Sequence, residues 1–167
     1  MVGCAAGSDW TVEQHAMRVY ALAGVEPCNP PGIFALIAML GGDVAIHRAC
    51  EFEPGDGRWV EYDDGGWAVE VHPGLPLDVA AMALARGVAH WYVDVHAVSL
   101  LPLEGIDDLA ASLLLPTQAM LGATQEQRSP ERFAEQYRVP IGVAKARVVY
   151  CGAMVAVATR SGAFRRA

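Results

Sequence analysis

His90 and Asp94 carry the side chains best suited to chemistry in this 167-residue chain. They lie four positions apart in an apolar stretch, residues 80–96, that predicts one long helix. Side chains at i and i+4 project from the same helix face, and helices that supply two ligands to one zinc ion use this spacing. The stretch therefore predicts either a metal site or a hydrogen-bonded His-Asp pair.

A catalytic zinc needs three protein ligands and an open position for water, so a third ligand must come from another element. The next predicted helix carries three carboxylates at its start. The candidate metal ligands are His90, Asp94 and Asp108, with Glu104 and Asp107 as alternatives to Asp108. Because aspartate is shorter than histidine, the metal would have to lie closer to the helix, and ligand distances tolerate only about 0.2 Å of error.

The elements that position these residues predict a mixed α+β fold. Two helices, residues 8–23 and 33–40, come first, and residues 43–53 follow as a strand. Residues 58–62 and 67–72 alternate apolar and polar side chains around a glycine-rich connection, which indicates a hairpin. The sequence thus predicts helices packed on a small three-stranded sheet that leads into the long helix.

A small helical unit is predicted at the C-terminal end. Ser129-Pro130 provides an N-cap and a first helical residue, Val139-Pro140 ends that helix, and a last helix reaches about Met154. Two short helices around a tight turn are typical of a helix-turn-helix. We therefore predict a first domain at residues 1–120, followed by a helical unit and basic tail at residues 121–167.

Charge is distributed unevenly along the chain. The sequence is 53% hydrophobic and 19% charged, enough apolar material for a sizeable core, and its formal net charge of −7 disfavours general nucleic-acid binding. However, six of the twelve Lys and Arg residues, and no acidic residue, follow Glu135. Lys145 and Arg147 on the last helix are therefore candidate phosphate contacts, with packing against the core as the alternative.

Cysteine usage and hydropathy indicate the compartment. Cys4, Cys28, Cys50 and Cys151 form no CxxC pair, which disfavours a zinc ribbon or redox motif and favours small buried thiols in a reducing compartment. No segment reaches the roughly 18 uninterrupted apolar residues of a membrane span. Residues 1–9 lack the basic and apolar regions of a secretory leader. We therefore expect a cytoplasmic protein.

The order of these parts resembles the ImmA/IrrE-type metallopeptidase family, found with phage and mobile-element repressors. Trp67 to Gly74 is similar to the strand before that family's active-site helix, and Val88-Ala89-His90 to the start of its Leu-Ala-His-Glu-Leu-Gly-His signature. Residues 109–116 are similar to its Phe-Ala-Ala-x-Leu-Leu-Met-Pro segment, and residues 129–147 to its small helical unit. The resemblance covers most of the chain and implies a zincin-like metallopeptidase core.

The departures from this family fall on the chemistry. The first metal ligand carries over to His90, but the second falls at Asp94 and the third, a glutamate in the family, falls at Gly105. The general base falls at Trp91, and an indole can donate a hydrogen bond but cannot deprotonate zinc-bound water. Asp108 lies one turn after Gly105 and faces a similar direction.

The resemblance and its departures together predict a catalytically degenerate pseudoenzyme that acts by binding another protein in phage or mobile-element regulation or assembly. Its partner would be a repressor or a phage or mobile-element protein, and Trp91 and Tyr92 would form the cleft or partner surface. One alternative is a zinc-dependent endopeptidase with a rearranged His/Asp/Asp site that cleaves a repressor-type protein. A second is a DNA-binding regulator that uses the basic C-terminal helices, and a third is a purely structural component of a larger assembly.

Overall fold

Seven helices and a three-stranded sheet form the described part of the chain, which confirms the predicted α+β class. The computed structural model describes residues 6–46, 53, 55–96, 103–124 and 128–160. In chain order the elements are α1 (Ala6–Leu22), α2 (Ile33–Met39), β1 (Gly42–Ile46), β2 (Arg58–Glu61), β3 (Trp67–Val71), α3 (Leu77–Val95), α4 (Leu103–Leu114), α5 (Thr117–Gly122), α6 (Pro130–Tyr137) and α7 (Ile141–Arg160).

The sheet has the strand order β1-β3-β2, with β3 in the centre. β2 and β3 form the predicted antiparallel hairpin, in which Trp59 lies opposite Val69. β1 pairs with β3 in parallel, which places Val44 opposite Val69 on the other side. The described part of the predicted first strand is a strand, Gly42–Ile46, and residues 47–52 lie outside the described residues.

Two glycines allow the backbone of α3 to approach the sheet layer closely. A Cβ atom on Gly87 of α3 would lie 2.2 Å from Cγ1 of Val69 on β3. A Cβ atom on Gly57, just before β2, would lie 1.7 Å from the carbonyl oxygen of Ala83 on α3. These positions therefore exclude any side chain, and they set the distance between the sheet and the helix that carries His90.

The core lies between the sheet, α3 and the helices α1 and α4. Its largest fully buried side chains include Tyr20, Leu84, Leu109 and Leu113, each of which contributes about 1.5–3 kcal/mol by leaving water. The Tyr20 hydroxyl also donates a hydrogen bond to the carbonyl oxygen of Leu113 at 2.5 Å. This bond ties α1 to α4 and satisfies a polar group that would otherwise be costly to bury.

The predicted start and end of the first helix in the C-terminal unit are confirmed. The Ser129 side chain accepts a hydrogen bond from the backbone nitrogen of Arg132 at 3.2 Å, with Pro130 in the first turn of α6. Arg138 adopts a left-handed conformation, with φ of 53°, and ends this helix. α7 continues to Arg160, past its predicted end. None of the described helices is both long and apolar enough to cross a membrane.

The helices after residue 115 share the core of the preceding part. α5 was not predicted, and the predicted domain boundary after residue 120 falls inside it. Phe133 and Ala144 are buried in the same hydrophobic cluster as α3 and α4. Cys151 is a buried free thiol, as expected, and burial raises its pKa, whereas Cys28 is exposed. Cys4 and Cys50 lie outside the described residues.

Candidate functional site

His90 and Asp94 lie near the C-terminal end of α3, His90 partly buried and Asp94 exposed. The Asp94 carboxylate accepts a hydrogen bond from the indole nitrogen of Trp59 on β2, with 2.7 Å between Nε1 and Oδ2. The sheet therefore provides a donor for this carboxylate. Sequence patterns did not reveal this contact, because Trp59 and Asp94 belong to different elements that meet only in the folded chain.

A cleft of about 530 Å³ opens beside His90. Its lining includes Trp59 from β2, Arg86 from the same helix as His90, and Asp107 from α4. Gly57 also lines it, so the close approach of the sheet layer to α3 shapes one of its walls. This cleft is where the family resemblance implies a metal centre, and its side chains decide whether such a centre fits.

Arg86 crosses the cleft to α4. Its Nε and Nη2 atoms donate hydrogen bonds to the two carboxylate oxygens of Asp107, at 2.6 and 3.1 Å, and Nη1 donates to the carbonyl oxygen of Gly55 at 2.9 Å. Asp56 lies 3.7 Å from the same guanidinium. The hydrogen bonds that Arg86 donates to Asp107 are the main reason that the pKa of Arg86 is raised, against the opposing effect of burial. Asp107, an alternative metal ligand, therefore serves as the partner of a cation.

The predicted ligands do not form a metal-binding group in the described part of the chain. No three or more His, Cys, Asp or Glu residues there lie close enough together to hold an ion. Asp108 is exposed on α4 and lines a different cavity from His90, and Gly105 is buried in the same helix. The set of His90, Asp94 and Asp108 thus does not fit zinc as placed. The Glu104 side chain lies outside the described residues, so its participation stays a prediction.

Trp91 and Tyr92 are largely buried, which disfavours an exposed partner surface, although Tyr92 lines a cavity of about 440 Å³ between α1 and the end of α3. Trp91 is 9% exposed and stacks on Trp67 of β3, with ring centroids 4.5 Å apart and planes 10° apart. Tyr92 is 2% exposed, and its hydroxyl lies 3.0 Å from Nδ1 of His15 on α1. The face of α3 that carries these residues is therefore covered by the sheet and by α1.

Acidification is expected to destabilise the fold in part through His15. Burial, and then the positive charge of Arg18, lower the pKa of His15 below its usual value of 6.5. The unfolded chain therefore binds this proton more readily than the folded chain does. The stability that the neutral His15 imidazole contributes to the fold is fully present above pH 6.5, and it is lost as the pH falls from 6.5 through the folded-state pKa.

Urea unfolding of the wild type and of His15→Gln at about pH 8 and about pH 5.5 measures this effect. Between the higher and the lower pH, the free energy of unfolding should fall more for the wild type than for the variant, since only the wild type titrates at this position. Equal losses in the two proteins would exclude His15 as a source of the pH dependence.

Arg147 is buried rather than available to phosphate, which corrects one of the two candidate nucleic-acid contacts. It is 6% exposed, and its Nη1 atom lies 2.7 Å from a carboxylate oxygen of Glu13 on α1. Its Nε donates to the carbonyl oxygen of Leu115, and its Nη2 donates to the Thr117 hydroxyl, both at 3.0 Å. Lys145, two positions earlier on the same helix, is exposed.

Glu13 is the centre of this buried polar network. Its two carboxylate oxygens accept hydrogen bonds from the hydroxyls of Ser112 and Thr117, each at 2.9 Å, in addition to the ion pair with Arg147. Sequence reasoning did not identify this network. A signal was present, because Glu13 follows Val12 on the apolar stripe of α1, where a charge needs a partner.

Comparison of the sequence with protein-family models and with curated proteins gives no match. Comparison of the fold with solved structures finds a Mycobacterium tuberculosis transcriptional regulator, with a TM-score of 0.54 and 16% sequence identity. The similarity covers 83% of this chain and 46% of the regulator, so this chain spans less than half of that protein's length. At this identity the likeness concerns the fold alone.

Proposed function

We propose that this chain is a catalytically inactive protein with a metallopeptidase-like core, similar to the ImmA/IrrE family, that acts in gene regulation by binding another protein. The fold likeness to a transcriptional regulator supports the regulatory part of this proposal. The family resemblance of the sequence supports the metallopeptidase-like part. The partner would be a repressor or another phage or mobile-element protein, by analogy with that family.

The state of the His90 cleft supports the loss of catalysis. Metallopeptidases use a carboxylate to deprotonate the metal-bound water, but the corresponding residue is Trp91, which is stacked in the core. The carboxylates nearby have other partners, since Asp94 accepts from Trp59 and Asp107 pairs with Arg86. These two carboxylates near His90 are therefore held in separate polar pairs, which disfavours their use as a base or as metal ligands.

The outer face of α2 is the observation that favours a protein partner. All seven residues of α2 are apolar, and Ile33, Leu36 and Ile37 cover the core. The opposite side carries Phe34 and Met39, which are 55% and 53% exposed. A helix that is apolar on all sides is normally covered on all sides, and exposed apolar patches mark interaction sites. We call the exposed part, Phe34, Ala35, Ala38 and Met39, the α2 face.

Replacing both Phe34 and Met39 with serine should lower partner recovery at least about tenfold, because large side chains at the centre of an interface dominate its energy. Cross-linking and quantitative mass spectrometry after affinity purification from native cells measure this. Leu77→Ser is the matched control, since Leu77 is 65% exposed on a different helix. Undiminished recovery with the double variant would contradict the proposal.

Metal analysis tests the inactive state of the same protein. We expect zinc well below one equivalent per chain after growth with zinc, and no hydrolysis of peptide substrates. One equivalent of zinc, together with hydrolysis that His90→Ala abolishes, would refute the proposal and favour the zinc endopeptidase.

The DNA-binding alternative is favoured by the fold likeness and by the exposed Lys145. It is weakened by the burial of Arg147 and by the net charge of −7. Titration of duplex DNA at several salt concentrations distinguishes it, since phosphate contacts give an affinity that falls steeply with salt.

A further inference from the structure

A second cavity, of about 620 Å³, lies between α1, α3, α4 and α7. It shares Arg86 and Asp107 with the His90 cleft but extends away from His90 toward α1 and α7. We call it the α7 cavity because Gly142, Val143 and Ala146 of α7 form one of its walls. Its volume falls within the range of about 300–1,000 Å³ that is usual for small-molecule sites.

The walls of the α7 cavity are mainly apolar. Val12 comes from α1, Val79 and Met82 from α3, and Val143 from α7, so aliphatic side chains line several sides. Val79 and Val143 both face the cavity and are partly exposed. Tyr150 adds a partly exposed aromatic ring, whose centroid lies 5.0 Å from the guanidinium carbon of Arg147. An apolar body in the cavity would remove this surface from water.

Polar groups also line the α7 cavity, and Ser112, Glu13 and Arg147 are held together by a hydrogen bond and an ion pair. Ser112 is fully buried, and its hydroxyl is anchored to Glu13 at 2.9 Å and to the Asp108 carbonyl oxygen at 2.8 Å. Glu13 and Arg147, the buried ion pair, also line the wall. Binding sites for small molecules typically combine apolar walls with a small number of fixed polar groups.

The charges around the cavity select against an anion. Arg86 and Arg147 are positive, and Glu13, Asp107 and Asp108 are negative, so the lining carries a formal net charge of −1. Both guanidinium groups already pair with carboxylates, Arg86 with Asp107 and Arg147 with Glu13. A charged group on the ligand, of either sign, would therefore have to compete with existing ion pairs, and an anion would also meet the net negative charge.

We propose that the α7 cavity binds a small uncharged amphiphile, whose apolar body lies among the apolar side chains and whose polar group lies beside Ser112 and the paired charges of the lining. Such a ligand contacts α1, α3, α4 and α7 at once, so its binding stabilises the packing of α7 against the other three helices. This site does not depend on the proposed function, on the α2 face or on a protein partner.

A matched pair of fluorescent probes tests the chemical class. Phenylnaphthylamine is uncharged, and anilinonaphthalenesulfonate presents a similar aromatic body with one negative charge. We expect the uncharged probe to bind the wild type saturably, with one site per chain and an affinity at least about tenfold higher than that of the sulfonate. Binding that does not saturate, or tighter binding of the sulfonate, would overturn the proposal.

Substitutions on two walls locate the probe. Ala146→Trp on α7 and Ala111→Phe on α4 both reduce the space in the cavity, and each should lower the affinity for the uncharged probe at least about tenfold. Ala153→Trp is the control, because Ala153 is exposed on the same helix two turns further on and does not line the cavity. The Phe34→Ser and Met39→Ser double variant should keep full probe binding, which separates this site from the α2 face.

Urea unfolding midpoints establish that each variant is folded before binding is compared. If either folded cavity variant binds the uncharged probe as tightly as the wild type does, the proposal is wrong. If the double α2 variant alone loses the probe, the binding site is the α2 face and the proposal is also wrong. If a cavity variant does not fold, the other one and the probe pair on the wild type still decide.

Discussion

Replacing Arg147 with methionine is expected to lower the free energy of unfolding by about 3–5 kcal/mol, because it leaves a buried carboxylate without its cation. The Glu13 carboxylate and the Arg147 guanidinium lie 2.7 Å apart, and both residues are buried. The substitution also removes the hydrogen bonds to Leu115 and Thr117, which join α7 to the end of α4 and the start of α5. Urea unfolding followed by circular dichroism measures the loss.

Lys145→Met is the matched control for this experiment. It removes the same type of charge from the same helix, but Lys145 is exposed, so the change should stay within about 0.5 kcal/mol. The double variant Glu13→Leu with Arg147→Met should lose less than Arg147→Met alone, because it leaves no unpaired charge. A loss below about 1 kcal/mol for Arg147→Met would contradict the role of this pair in docking α7.

Replacing Gly57 with alanine should destabilise the protein by about 3 kcal/mol or more, toward the upper end of overpacking costs. The new Cβ atom would lie 1.7 Å from the carbonyl oxygen of Ala83 and 2.5 Å from its carbon. These are backbone atoms of α3, which cannot turn aside as a flexible side chain can. The substitution must therefore push the segment before β2 away from α3. Urea unfolding gives the size of the effect.

Gly152→Ala provides the opposite case within the same chain. Gly152 lies inside α7, and a Cβ atom there has no neighbour within 4 Å. Alanine should stabilise the helix by about 0.5–1 kcal/mol, because glycine loses more backbone freedom on folding. If Gly57→Ala and Gly152→Ala had similar effects, close backbone contact at Gly57 would be excluded.

The displacement at Gly57 also has a consequence for the His90 cleft. Trp59 follows Gly57 by two positions and donates the hydrogen bond to Asp94. A shift of β2 away from α3 would lengthen this bond, so the same interface that stabilises the fold also positions the polar groups of the cleft. Stability and site geometry are therefore coupled at this position.

The sequence by itself determined most of the helices and the hairpin, because their signals are local. The apolar periodicity of α1, α3 and α4 follows from the geometry of one helix, and the Ser129-Pro130 start of α6 depends only on neighbouring residues. The β2–β3 hairpin likewise follows from two alternating runs around a short turn. The α+β class was predictable for this reason.

The tertiary structure alone decided which side chains meet. The parallel pairing of β1 with β3, and the burial of Trp91 and Tyr92 against the sheet and α1, depend on which face of each element turns inward. The contacts of Asp94 with Trp59, and of Glu13 with Arg147, join residues far apart in the chain. A single sequence can show that a charge such as Glu13 needs a partner, but it does not show which distant residue that partner is. For that reason His90 and Asp94 could be predicted as a pair on one helix, but not the Trp59 hydrogen bond that Asp94 makes in the folded protein.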